Sequence, residues 1–219
     1  IQELGHRVVR LDSSGMQVSR GESIADTARV LGRYLHGLVI RAYGQEVVDE
    51  FAAWSGVPVV NALTDLLHPC QIYADCFTLA EKFGEDGGDL ASLTGRKLVF
   101  LGDTGSNMAN SWVVAGKLFG LEVVLCGPPS HAPGEDLAGL LRSGGLDPAV
   151  AFSSDPAEAV AGADAVYTDV WVSMGDEAEA AQRRETMAPY AVTPRLMAAA
   201  RPDALFMHCM PAHPGEEVT

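Results

Sequence analysis

The sequence predicts an α/β protein of two domains, each a parallel β-sheet flanked by helices, and three observations lead there. Apolar runs of strand length alternate with stretches of helical periodicity from Val8 to His208. Strands and helices that alternate at this length imply parallel sheets with right-handed crossovers. The 219 residues are 47% hydrophobic, enough for one large or two modest cores. The composition breaks most clearly over 84–95, where Gly84-Glu85-Asp86-Gly87-Gly88-Asp89 is glycine-rich, acidic and without apolar periodicity. A hinge belongs there, dividing the chain into residues 1–85 and 86–219.

In the first domain Val8-Val9-Arg10-Leu11 reads as a short strand. Ser23 is the N-cap of the next helix, and Asp26, three residues on, is the acidic partner of a capping box. Ile24, Ala28, Leu31 and Leu35 recur at helical spacing as its buried stripe, and Gly37 stops it. Leu38-Val39-Ile40 is a buried strand ending at Arg41. Glu46 to Ser55 is a second helix, with Val47, Phe51 and Trp54 on one face. Val57–Val60 is a strand ending at Asn61. His68-Pro69 opens a third helix; Pro69 suits the first turn, where its missing N–H costs nothing.

The second domain continues with strand Lys97–Leu101, helix Met108–Phe119 and strand Glu122–Cys126. A helix near Leu137–Arg142, strand Ala149–Phe152 and a short helix from Pro156 follow. Strand Ala165–Thr168, helices near Glu177–Thr186 and Pro194–Ala200, and strand Ala204–His208 complete the series. The sequence shows no internal repeat and no low-complexity tract.

Polar segments at strand ends and helix starts carry the chemistry, because open α/β sheets bind ligands at the carboxyl ends of their strands. His68 and Gln71 share one side of a first helical turn, whose free N–H groups favour an anion. A neutral His beside an amide hydrogen-bonds a carbonyl; on these residues alone, His68 as an N-cap with Gln71 merely exposed is an equal reading. Arg41, at a strand exit, suits a phosphate or a carbonyl oxygen, or simply caps a surface loop. Gly102-Asp103-Thr104-Gly105-Ser106-Asn107 lacks the glycine spacing of a dinucleotide fingerprint. Asn107 there holds a carboxylate through its amide, or caps a helix. Asp169 ends a strand and suits an ammonium group. Ser173 and the Met174 N–H suit the other end of an amino acid, or Ser173-Met174-Gly175 is an ordinary turn. Taken singly, Cys209 and His208 fit a packed thiol and a satisfied core histidine; the convergence of several strand ends on one rim raises the functional reading beside these.

A formal net charge of -14, of which residues 1–85 carry -4 and 86–219 carry -10, lacks the basic face that a nucleic-acid partner requires. It favours solubility. Cys70, Cys76, Cys126 and Cys209 form no Cys-x-x-Cys pair and no zinc spacing, as expected of reduced thiols in a cytoplasmic protein. No apolar run approaches the ~20 residues of a membrane span, and the N-terminus has no signal-peptide pattern.

In order and wording these segments resemble the aspartate/ornithine carbamoyltransferase family, and within it the ornithine carbamoyltransferases, over essentially the whole chain. Gly21-Glu22-Ser23-Ile24-Ala25-Asp26-Thr27-Ala28-Arg29-Val30-Leu31 is similar to the helix after the family's phosphate-side loop. His68-Pro69-Cys70-Gln71 matches the His-Pro-x-Gln motif of transcarbamoylases. Asp169 to Gly175 resembles the ornithine-specific Ser-Met-Gly loop, and His208-Cys209-Met210-Pro211 resembles His-Cys-Leu-Pro, with Met for Leu.

The resemblance implies transfer of the carbamoyl group from carbamoyl phosphate to L-ornithine, giving L-citrulline and phosphate, by a homotrimer that needs no metal or organic cofactor. It implies that Arg41, His68 and Gln71 bind carbamoyl phosphate, with Arg41 and His68 polarising its carbonyl, and that Gln17 faces a neighbouring subunit's phosphate site. Asn107, Asp169, Ser173 and Met174 would hold ornithine. Cys209 and Asp169 would orient its side-chain amine, and Met210 would offer its backbone carbonyl.

The family's Ser-x-Arg-Thr-Arg loop and its C-terminal arginine segment lie outside this sequence, and Ser106 stands where the family usually has Asn. The expectation is a fragment, inactive by itself, of an active parent. The alternatives are a transcarbamoylase acting on aspartate, putrescine or an acylated ornithine, a nicotinamide dehydrogenase on a similar sheet, and a binding-only relative.

Overall fold

Helix α1 (Ile24–Leu31) begins where the Ser23 hydroxyl oxygen accepts the Asp26 amide and donates to the Asp26 carboxylate at 2.8 Å, as the spacing of these residues predicts. The structure, a computed structural model, describes residues 2–5, 7–12, 15, 17, 21–84, 88–172 and 177–219. They divide into two units, Ile1–Ala62 and Leu63–Thr219.

In the first unit α1 is followed by β1 (Leu38–Arg41), α2 (Gln45–Trp54) and β2 (Val59–Leu63), with β1 beside β2. Ala28, Leu38 and Phe51 are buried together, with Ile24, Leu31, Leu35, Ile40 and Val47 packed around them. The expected stripe of α1 is thus the core of this unit. Trp54 is 48% exposed, with the Arg29 guanidinium 4.2 Å over its ring. Val8–Leu11 departs from expectation: the segment forms no strand, and Val8 and Val9 are 48% and 64% exposed. Strand propensity alone does not hold a segment that pairs with no neighbour.

The second unit carries α3 (Pro69–Phe83), β3 (Lys97–Leu101), α4 (Asn107–Phe119), β4 (Glu122–Cys126), α5 (Glu135–Ser143), β5 (Ala151–Ser153), α6 (Pro156–Val160), β6 (Ala165–Thr168), α7 (Ala180–Met187), α8 (Pro194–Met197) and β7 (Leu205–His208). The expected bounds of β3, β4 and β6 are matched, while β5 and β7 shift by one or two residues at their ends. The sheet runs β5-β4-β3-β6-β7, all parallel.

Side chains alternate across this sheet. Leu98, Phe100, Ala165 and Tyr167 face α3 and α4, in one core with Ile72, Leu79, Trp112 and Leu125. Val99, Leu101 and Val166 face the other side, against Val160, Tyr190 and Val192. Burial on both faces is what an all-parallel sheet requires. Among the described residues no helix is long and apolar enough to cross a membrane.

Chain order reverses between β3 and β6: β4 and β5 lie on one side of β3, β6 and β7 on the other. Crossovers leave β3 and β6 in opposite directions, which opens a crevice outside their carboxyl ends. Gly127 helps shape that rim, since a Cβ there would lie 2.2 Å from the Gly102 carbonyl oxygen.

Candidate active site

Three strand ends meet at this crevice. β3 runs into Gly102-Asp103-Thr104, β6 into Asp169-Val170-Trp171, and β7 into Cys209-Met210. Gly102, at φ 119°, makes the first turn with its α-carbon side toward the Trp171 ring. Asp103 accepts the Gly105 amide at 3.0 Å and forms a buried ion pair with Arg183 of α7. The Arg183 Nε also donates to the Trp171 carbonyl at 2.9 Å. Arg183 therefore ties the β3 exit to the segment that follows β6.

Helix α4 starts at Ser106, whose hydroxyl accepts the Ala109 amide. Ser106, not Asn107, is the cap, and this frees the Asn107 side chain for another contact. Asn107 Nδ2 donates to the Thr64 carbonyl at 2.7 Å, and Asn110 Nδ2 to that of Leu66 at 3.2 Å. The Ser111 hydroxyl accepts the His68 amide at 2.7 Å and donates to the Asn107 carbonyl at 2.6 Å. Three of these bonds lace the 64–68 segment to the first turns of α4 and set His68 at the head of α3, where it occupies the N-cap position without a side-chain capping bond.

Gln71, one turn into α3, donates from Nε2 to Asp75 Oδ1 at 3.0 Å. The other Asp75 oxygen accepts the Tyr167 hydroxyl at 2.7 Å. Tyr167 sits on β6 at 0% exposure, edge-on to Trp112 and stacked on Phe100. The Cys209 side chain lies close enough to Tyr167 for the two to influence each other's ionisation. Cys209 donates from Sγ to Asp169 Oδ1 at 2.9 Å, and the same oxygen accepts the Val170 amide at 2.7 Å. Two hydrogen-bonded sets thus stand near one another, Gln71–Asp75–Tyr167 and Val170–Asp169–Cys209.

Burial sets the charge states in both sets. It raises the Asp169 carboxyl above its usual range, against the hydrogen bonds from Cys209 and Val170, which lower it. Burial and the neighbouring Asp169 carboxylate raise the Cys209 thiol far above its usual range. Cys209 is therefore a protonated donor at neutral pH, not a thiolate nucleophile. Asp75 is raised by burial and lowered by its bonds from Tyr167 and Gln71.

His208 Nδ1 accepts the Met210 amide at 2.8 Å, so Nε2 carries the proton and faces the buried Glu217 at 3.2 Å. The bond holds Met210 at φ 63° with its side chain 67% exposed. Asp169, His208 and Cys209 have ligand atoms within 4.8 Å of one another. Both nitrogens of His208 and the Cys209 proton are engaged by protein partners, which leaves the second Asp169 carboxylate oxygen as the group of this trio open to a ligand.

Of the residues singled out from the sequence, His68, Gln71, Asn107, Asp169, Cys209 and Met210 lie in the second unit; Asp169 and Cys209 share a hydrogen bond, while Gln71 bonds Asp75. Arg41 ends β1 and Gln17 is exposed, both in the first unit. Ser173 and Met174 lie outside the described residues. Sequence reasoning missed Asp75, Tyr167, Arg183 and Glu217. For Asp75 there was a signal: an acid four residues after Gln71, inside an apolar helical stripe. For the others, pairing across 80 residues or more, or burial of a terminal-segment acid, left no local trace.

Comparison with known proteins bears on this geometry. Residues 1–81 match the family model for the aspartate/ornithine carbamoyltransferase carbamoyl-P binding domain, and residues 94–219 match that for the Asp/Orn binding domain. The chain is 47% identical to an ornithine carbamoyltransferase of Methanoculleus marisnigri, over all of this chain and 68% of that protein. It is 48% identical to one from Symbiobacterium thermophilum over the same shares. Among solved structures it is similar to ornithine carbamoyltransferase from Pyrococcus furiosus, with a TM-score of 0.86 and 42% identity, over 100% of this chain and 68% of that one. The anabolic ornithine carbamoyltransferase of Campylobacter jejuni gives a TM-score of 0.84 at 33% identity, over 100% of this chain and 70% of that one.

Proposed function

We propose, from the premise that the chain belongs to the aspartate/ornithine carbamoyltransferase family, that it moves the carbamoyl group of carbamoyl phosphate onto the side-chain amine of L-ornithine. The products are L-citrulline and phosphate. Carbamoyl transfer itself is the activity of the family; the amine acceptor is the part this reading adds. The observation that carries it is the Cys209–Asp169 hydrogen bond at the carboxyl ends of the strands. The names of the relatives support ornithine as the acceptor.

Attack requires an uncharged amine, whereas the ornithine side chain is an ammonium at neutral pH. The Asp169 carboxylate, with Cys209 donating to one of its oxygens, holds that ammonium and accepts its proton as the amine lone pair turns to the carbonyl carbon. The new C–N bond forms, and the C–O bond to phosphate breaks. Arg41 and His68 polarise the carbamoyl carbonyl, and Gln71 binds the carbamoyl group beside them. Donors aimed at the developing oxyanion are the largest contribution expected in such a site, and fixing two substrates in register contributes much of the rest. Asn107, Ser173 and Met174 bind the amino-acid end of ornithine, and the Met210 carbonyl, aimed by the turn at φ 63°, accepts from the amine. Gln17 serves the phosphate site of an adjacent subunit in a homotrimer.

In this reading residues 1–85 form the carbamoyl-phosphate domain and 86–219 the ornithine domain. The family models over 1–81 and 94–219 support that division. The resemblance supports a cytoplasmic place in arginine biosynthesis.

The test is product formation by the full-length protein from carbamoyl phosphate with ornithine, aspartate or putrescine. Citrulline from ornithine alone is the expected result. Turnover with aspartate or putrescine, or none with ornithine by a folded protein, would overturn the assignment.

A further inference from the structure

We infer that Asp75, backed by Tyr167, is a positioning residue that fixes which end of the Gln71 amide faces the substrate, and so selects a carbamoyl phosphate over an acyl phosphate without N–H groups. The inference rests on the carbamoyl-transfer reading and adds a determinant of substrate choice to it.

A glutamine amide has a donor end and an acceptor end, and a half-turn about its last bond exchanges them. An ionised carboxylate only accepts. Asp75 Oδ1, 3.0 Å from Gln71 Nε2, therefore tolerates the NH2 end alone, and the Gln71 carbonyl oxygen is left to face a ligand. That oxygen recognises N–H. The carbamoyl group offers NH2 where an acetyl group offers a methyl.

Asp75 itself has no freedom to turn away. Its other oxygen takes the Tyr167 hydroxyl at 2.7 Å, and Tyr167 is fixed between Trp112 and Phe100 at 0% exposure. Asp75 is 7% exposed, among Ile72, Cys76 and Leu79. An apolar side chain would fill this place without the desolvation cost of a carboxylate. The carboxylate gives the buried Tyr167 hydroxyl its acceptor and, through its other oxygen, dictates which way the Gln71 amide points. Gln71 sits one turn from His68 at the head of α3, so the orientation is enforced where the carbamoyl group would lie.

Sites built to hydrogen-bond a substrate N–H or O–H reject the analogue lacking it by as much as about 10⁴-fold. Asp75→Asn breaks the rule: an asparagine both donates and accepts, so the Gln71 amide is free to turn. Tyr167→Phe keeps the ring packing and removes only the donor that steadies Asp75. The experiment measures, in the full-length protein, the KM for carbamoyl phosphate, the KM for ornithine and the inhibition constant of acetyl phosphate as a competitor of carbamoyl phosphate.

In Asp75→Asn the KM for carbamoyl phosphate is expected to rise roughly 2- to 10-fold, the equivalent of the one neutral hydrogen bond from the carbamoyl N–H to the Gln71 carbonyl. Acetyl phosphate inhibition stays constant, so the preference falls by the same factor, while the KM for ornithine changes less than about twofold. Tyr167→Phe moves the same ratio in the same direction by a smaller factor, and decides the matter if Asp75→Asn does not fold. A folded variant pair that keeps the wild-type ratio of the two constants would overturn the inference while leaving the transferase reading intact. A wild-type protein that transfers no carbamoyl group would overturn that reading first, and the inference with it.

Discussion

Arg183→Met is expected to be the most damaging single change outside the substrate-contacting residues. The Arg183 side chain is 10% exposed and its partner Asp103 is 11% exposed, so the ion pair is largely out of water. Removing one partner of a buried pair costs about 3–5 kcal/mol, because the other charge stays behind uncompensated. The same guanidinium bonds the Trp171 carbonyl at 2.9 Å, and a hydrogen bond from a charged donor contributes about 1.5–3 kcal/mol. One group makes both contacts, so the two figures overlap and do not add; a loss of about 4 kcal/mol is the expectation. Against a margin of ~5–15 kcal/mol that is about a quarter of the stability or more. The assay is urea denaturation followed by tryptophan fluorescence, since Trp112 and Trp171 are both buried in the second unit. The double variant Asp103→Asn with Arg183→Met should recover part of the loss, because the stranded charge is gone. A loss below about 1 kcal/mol for Arg183→Met, or no recovery in the double variant, would refute the claim that a buried charge pair holds the rim together.

Asp169→Asn should reduce carbamoyl transfer by about 10²-fold or more without lowering stability at neutral pH. Burial raises this carboxyl above 3.8, so its contribution to stability is present below that value and lost as pH rises through the folded-state value. The variant should therefore melt at or above the wild-type temperature at pH 7, and the gap should close in acid; a variant that melts lower at pH 7 counts against the sign. Iodoacetamide at neutral pH should label exposed Cys70 first. Burial pushes Cys76 and Cys126 up to about 12, and Cys209 is held protonated beside Asp169. Peptide mass spectrometry showing Cys209 labelled as fast as Cys70 would contradict that protonation state. Ser106→Asn exchanges one good helix cap for another and should change stability by less than about 0.5 kcal/mol, whereas Ser106→Ala should cost ~1 kcal/mol, both read from denaturation midpoints.

The sheet of the second unit was legible because its strands are short apolar runs with clear polar ends. β3, β4 and β6 follow from composition alone, and the Ser23 cap from a four-residue pattern. Val8–Leu11 was not legible, since a β-branched run says nothing about whether a partner strand exists. The same limit applied to the site. Asp169 and Cys209 stand at strand ends and announced themselves, but their hydrogen bond joins residues 40 apart. Asp75 and Tyr167 are 92 apart, and a tyrosine inside an apolar strand reads as core until its hydroxyl is traced to a buried acid. Asn107 read either as a carboxylate ligand or as a helix cap; the neighbouring Ser106 took the cap position, and the Asn107 amide bonds the Thr64 carbonyl.

The turn at Met210 has a consequence for how this stretch can vary. Its amide is pinned to His208 Nδ1, its φ is 63°, and its side chain is 67% exposed. The position is thus read through its backbone. In a saturation library, the tolerated alphabet at 210 should be set by the backbone: glycine and asparagine, which accept positive φ readily, should be well tolerated and β-branched residues should not. At His208 it should be narrow, because few side chains supply both an acceptor for that amide and a donor for Glu217. A methionine in place of the family's leucine is then a neutral spelling, and the selective information sits two residues upstream of the letter that differs.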